Sequence, residues 1–210
     1  LAAALLLTGA GPDGERDTGR IVGSGAAETT PSAEPSARGE RSAVPDACTL
    51  VGDALAGRLA PGAARNPADA YQAGDRQNQC VWGAYTGDRG RQLSVELRAV
   101  AGTAGQSPAR AAATAFASER RDDESGRSLL AGRRLIRKSP LEGIGDEGYV
   151  VYSVDEDRGS GEAIASVRAV NVLVTIHYSG SDDGGPLAEA AATGGAEETA
   201  KAVLKALEQG

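Results

Sequence analysis

The two cysteines, Cys48 and Cys80, constrain this chain most. They are its only cysteines, and Cys80 runs directly into Val81 and Trp82, the only tryptophan. Two ligands without histidine or a second cysteine pair do not make a zinc site, and the spacing is not that of a C-x-x-C redox motif. An even count behind an export-like start instead predicts a disulfide joining a short helix to the first strand of a sheet.

The approach to that pair is of two kinds. Leu1–Leu7 is apolar and the residues after it are small, as at the end of a signal-peptide core with cleavage after Ala10, or at the tail of a membrane segment. Residues 1–11 are assigned to that role. Residues 12–44 are rich in Gly, Ala, Ser, Thr, Pro and Glu and lack aromatics, so they predict a disordered tether with too little apolar surface to offset its ordering entropy. Residues 45–210 are expected to form one extracytoplasmic domain. Its core must be aliphatic, because 40% of the chain is hydrophobic but only 3% aromatic.

Hydrophobic periodicity lays out that domain. Asp46 is placed to cap a helix on which Cys48, Val51, Leu55 and Leu59 share a face. Asn66–Gln79 reads as a loop. Cys80–Thr86 and the alternating run Leu93, Val95, Leu97, Ala99 predict a hairpin. Ser107-Pro108 opens a second helix with the stripe Ala109, Ala112, Ala113, Phe116, and the charged run Arg120–Arg127 follows, expected to be exposed. Arg133–Lys138 reads as an edge strand and residues 140–148 as a glycine-rich corner. Strands follow at Tyr149–Val154, Glu162–Ala169 and Val172–Tyr178, then a polar loop Ser179–Gly195 and a helix with the stripe Ala196, Ala200, Val203, Leu204, Leu207. The fold class is therefore α+β: an antiparallel sheet with about three helices packed on one face and a helix–strand disulfide.

Chemistry-bearing patterns are sparse. His177 is the only histidine, and no G-x-S-x-G elbow supplies a serine for it. Asp155, Asp157 and Glu162 lack the third ligand and the glycine of a calcium loop. Gly143-Ile144-Gly145 lacks the preceding strand, third glycine and following helix of a dinucleotide loop, and reads instead as a corner with positive φ. No catalytic residue, metal ligand or cofactor is assigned. Tyr71, Trp82 and Tyr85 are the candidate lining of a ligand cleft, with Trp82 also suited to packing on the disulfide. The net charge of -7 argues against general binding to nucleic acid or anionic lipid.

The ordered set of segments resembles an actinobacterial family of exported lipoproteins whose domain has no known function. The resemblance rests on Asp46-Ala47-Cys48-Thr49-Leu50, Cys80-Val81-Trp82, the corner Gly143-Ile144-Gly145-Asp146-Glu147-Gly148, and Asn171 leading into Val172-Leu173-Val174-Thr175-Ile176. It covers roughly residues 45–209. It implies an extracytoplasmic domain similar to the sensor domains of some actinobacterial membrane kinases, secreted or anchored to the outer face of the membrane through its N-terminus. It carries over no catalytic residue, and the lipoprotein cysteine is replaced by Ala10. The expected function is a non-enzymatic, sensor-like domain for an unknown small ligand or envelope protein. The alternatives are an envelope hydrolase using paired carboxylates such as Asp146 and Glu96, or a structural partner-binding module presenting a large apolar patch.

Overall fold

A computed structural model of the chain describes residues 39–67, 76–86 and 89–209. The signal-like segment, most of the tether, Tyr71 and the side chain of Tyr85 lie outside the described residues.

Asp46 caps as its carboxylate should, accepting from the Cys48 backbone N–H at 2.8 Å. The expected single helix breaks in two: a 3-10 turn at Ala47–Thr49, then α1 at Asp53–Leu59. Gly52, with extended backbone, is the break and serves as the N-cap of α1. Ala64–Pro67 then forms β1, and β2 runs from Gln77 to Thr86, so the segment expected as loop contributes strand at both ends. The polar composition of 64–67 fits an edge strand, which has one exposed side. Cys48 and Cys80 form the expected disulfide.

β3 (Arg89–Ala99) pairs with β2, and α2 (Pro108–Ser125) crosses over the sheet. Ser107 caps α2, and Gly126, at positive φ, ends it. β4 (Arg133–Pro140), β5 (Glu147–Asp155), β6 (Ser160–Ala169) and β7 (Val172–Asp182) then form a meander that returns to β3. All pairings are antiparallel, in the order β1-β2-β3-β7-β6-β5-β4, with the two-residue β8 (Gly185–Pro186) beside the end of β7. α3 spans Glu189–Gln209. The polar loop expected at Ser179–Gly195 is thus the end of β7, β8 and the start of α3; its glycines mask strand and helix alike because both are depleted in glycine.

The sheet's pleat divides the core. Leu93, Val95 and Leu97 of β3 and Val172, Val174, Ile176 and Tyr178 of β7 face the main core with α1, α3, Trp82 and both cysteines. Leu173, with Tyr149 and Val151 of β5 and Ile164 of β6, faces the other way, under Ala112 and Phe116 of α2. The expectation of helices on one face holds for α1 and α3; α2 lies on the opposite face. Periodicity reports which residues share a face, not which element covers it.

The domain also takes in more chain than expected. The backbone of Arg41 is hydrogen-bonded to Asn171, and Val44 packs against the main core, both ahead of Pro45.

Candidate functional site

Alternation along β3 sends Ser94, Glu96 and Arg98 to the α2 side of the sheet. The same alternation sends Thr175 and His177 of β7 there. Register then sets neighbours: Glu96 lies opposite Thr175, Thr175 opposite Ser166 of β6, and Ser166 opposite Tyr149 of β5. One polar row therefore crosses the sheet and ends at an aromatic ring. α2 covers only the ring end, where Phe116 meets Tyr149 at a centroid distance of 5.4 Å. Between the helix and the half-buried part of the row, Glu96 and Thr175, lies a cleft of about 420 Å³. Its walls include Glu96, Arg98, Thr175 and His177 from the sheet and Glu119 and Asp123 from the helix. That volume falls within the range of small-molecule sites.

The acidic end of α2, expected to be a solvated face, is one wall of this cleft. Tyr149 donates its hydroxyl to Asp123 at 2.5 Å, and the Arg120 guanidinium lies 5.7 Å from the ring centroid. Burial, reinforced by the Asp123 carboxylate, pushes the Tyr149 hydroxyl far above its ordinary value, so it stays a neutral donor. Arg98 of the sheet pairs with Glu119 of the helix, and Gln77 donates to Glu96 at 2.8 Å.

Beside the cleft, Glu162 is held between two bases. Its side chain is only 15% exposed; His177 Nδ1 is 3.0 Å from one oxygen and Arg133 Nη1 is 3.1 Å from the other. Burial pushes the Glu162 carboxyl up, but the hydrogen bond and charge of His177, with Arg133, outweigh it and hold the carboxyl below its ordinary value. The imidazole thereby has its orientation set. Ser94 lies directly opposite His177 in register, on the same face, with its hydroxyl accepting from Gln79 at 2.9 Å.

The residues singled out from sequence are distributed unevenly. Trp82 is 4% exposed and belongs to the core with Cys48 and Cys80, as its suggested packing on the disulfide requires; its proposed cleft partners Tyr71 and Tyr85 lie outside the described side chains. Glu96 lines the cleft, but Asp146 does not join it. The Asp146 carboxylate accepts from Arg168 at 3.0 Å and from the Val170 N–H at 2.7 Å, and it lines a separate cavity. Gly143 and Gly145 of the corner do take positive φ. Asp155 accepts from the Arg158 N–H within its turn, and among the described residues no three His, Cys, Asp or Glu side chains are grouped to hold a metal ion. Tyr149, Thr175, Ser166 and Asp123 were missed as site residues. Of these only Thr175 carries a signal in the sequence, the polar alternation of β7, which becomes informative only once β3 and β6 are known to flank it.

No family model and no curated protein matches this chain. Among the described residues, no helix is long and apolar enough to cross a membrane. The disulfide fits an oxidising, extracytoplasmic setting.

Proposed function

We propose that this chain is the extracytoplasmic domain of a cell-envelope protein, secreted or held at the outer membrane face by its N-terminal segment, that binds a small polar ligand as a non-enzymatic, sensor-like module. The observation that carries this reading is the cleft between α2 and the polar row of the sheet. It combines ligand-sized volume with hydroxyl, amide and carboxylate groups on rigid strands. Its carboxylates are already engaged, Glu119 with Arg98 and Asp123 with Tyr149, as in a surface arranged for recognition. The disulfide and the resemblance to exported actinobacterial lipoproteins support the envelope setting.

The test is native mass spectrometry of the full chain produced through an oxidising export route. The wild type is expected to release a small carried mass on denaturation, and Thr175→Trp, which fills the cleft from the middle of β7, is expected to lose it while keeping the fold. Retention of the same mass by Thr175→Trp would overturn the assignment to this cleft.

A second reading, an envelope hydrolase, is favoured by one observation: Ser94, His177 and Glu162 stand as neighbours on one face, with Glu162 orienting the imidazole. Ser94 is nearly buried and its hydroxyl is engaged by Gln79, which ranks this reading second. Labelling of Ser94 by a fluorophosphonate, lost in His177→Ala, would establish it and displace the first. The partner-module reading has less support, since the exposed large hydrophobic side chains among the described residues are Leu130 and Ile136.

A further inference from the structure

Residues 39–44 cross the end of the sheet where β3 finishes and β7 begins. Hydrophobic burial does little to hold them there, since Val44 alone of these six packs on the core. Polar contacts hold them instead. The Asn171 carboxamide accepts from the Arg41 N–H at 2.8 Å and donates to the Arg41 carbonyl at 2.8 Å. It also donates to the Val100 carbonyl at 3.0 Å. Paired donor and acceptor on one residue's backbone imitate a rung of a β-ladder, and Asn171 itself is buried.

The two side chains of the segment reach helix ends of opposite polarity. The Glu40 carboxylate accepts from the Ala109 N–H, in the first turn of α2, at 3.2 Å. The Arg41 guanidinium donates to the Leu207 carbonyl in the last turn of α3. These are the ends where N–H and carbonyl groups lack helical partners, and where an anion and a cation respectively are favoured. Gly39 enters the segment at φ +96°, in the left-handed region that glycine tolerates.

We propose that Glu40 and Arg41 form a strap that docks residues 39–44 onto the domain and, through Glu40, ties them to α2, the wall of the cleft. α2 donates the Ala109 N–H to Glu40 at one end and carries Glu119 and Asp123 into the cleft at the other. In this proposal α2 moves as one rigid element, so a displacement at the cleft is felt at the strap and, by reciprocity, release of the strap is felt at the cleft. This docking stands independently of what the cleft holds.

Amide hydrogen exchange and chemical shifts of the oxidised full chain, read by NMR, test it. The Arg41 amide is expected to be protected at least about tenfold over a free peptide in the wild type. In Arg41→Ala that protection falls while the amides of β5, β6 and β7 keep theirs. Asn171→Ala removes it altogether, and Arg41→Ala is the variant that leaves the buried core untouched. Glu40→Ala is expected to speed exchange at Ala109 by about tenfold and to shift resonances as far along α2 as Glu119 and Asp123. An unprotected Arg41 amide in the wild type would overturn the docking. Shifts confined to the first turn of α2 would overturn the coupling.

Discussion

At the scale of single residues, steric room decides the sign of some substitutions. Gly194 and Gly195 are adjacent inside α3, where glycine costs about 1 kcal/mol relative to alanine. A Cβ at Gly194 meets nothing within 4 Å, whereas one at Gly195 falls 2.6 Å from the Tyr178 ring. Gly194→Ala is therefore expected to stabilise the domain by about 0.5–1 kcal/mol. Gly195→Ala is expected to destabilise it by about 1–3 kcal/mol through overpacking, the difference being read from urea midpoints. Glu162 supplies a second residue-scale expectation. Its folded carboxyl sits below the ordinary value, so on acidification the unfolded chain binds the proton first. The stability that Glu162 contributes is present above the ordinary carboxylate range and is lost as pH falls through its folded value. Glu162→Gln should lower stability by about 1–3 kcal/mol at pH 7, and the gap from wild type should close on acidification below about pH 4. A gap unchanged on acidification would contradict the ion-pair account. Neither feature is visible in sequence: Gly194-Gly195 reads as loop, and Glu162 as one acid among many.

At the scale of elements, the disulfide sets how the N-terminal end of the domain is retained. It joins the 3-10 turn to β2 across a separation of 32 residues. Closing a loop of that size contributes about 3–4 kcal/mol in the chain-entropy account. The double variant Cys48→Ala, Cys80→Ala is expected to lose about that much in chemical denaturation. An unchanged midpoint would place the retention of the 3-10 turn and α1 in apolar packing alone. α2 shows how an element's two halves are read differently. Its alanine stripe and Phe116 are an ordinary buried pattern, and Ser107-Pro108 marks its start. Its acidic end looks like a solvated face, yet Asp123 there accepts from Tyr149, a residue 26 positions away. Charge alone does not separate a solvated carboxylate from one that faces a buried donor.

At the scale of the whole molecule, the sheet is a partition between a filled core and a partly covered polar face, and the cleft lies where α2, packed over β4 to β7, leaves part of that face open. Local pattern alone determined the α+β class, the β2–β3 hairpin, the edge position of β4, the stripe of α3 and the disulfide. Each of these depends on residues within one period, one cap or one covalent pair, so the sequence carries it directly. Only the tertiary structure decided that α2 lies opposite α1 and α3, that Tyr149 and Asp123 meet, that Asp146 and Glu96 stay apart, and that Arg41 docks on Asn171. Those outcomes depend on which strands neighbour one another and which helix lands on which face. A period of two or of 3.6 residues is the same whichever partner covers it, and contacts between residues on different elements leave no local trace.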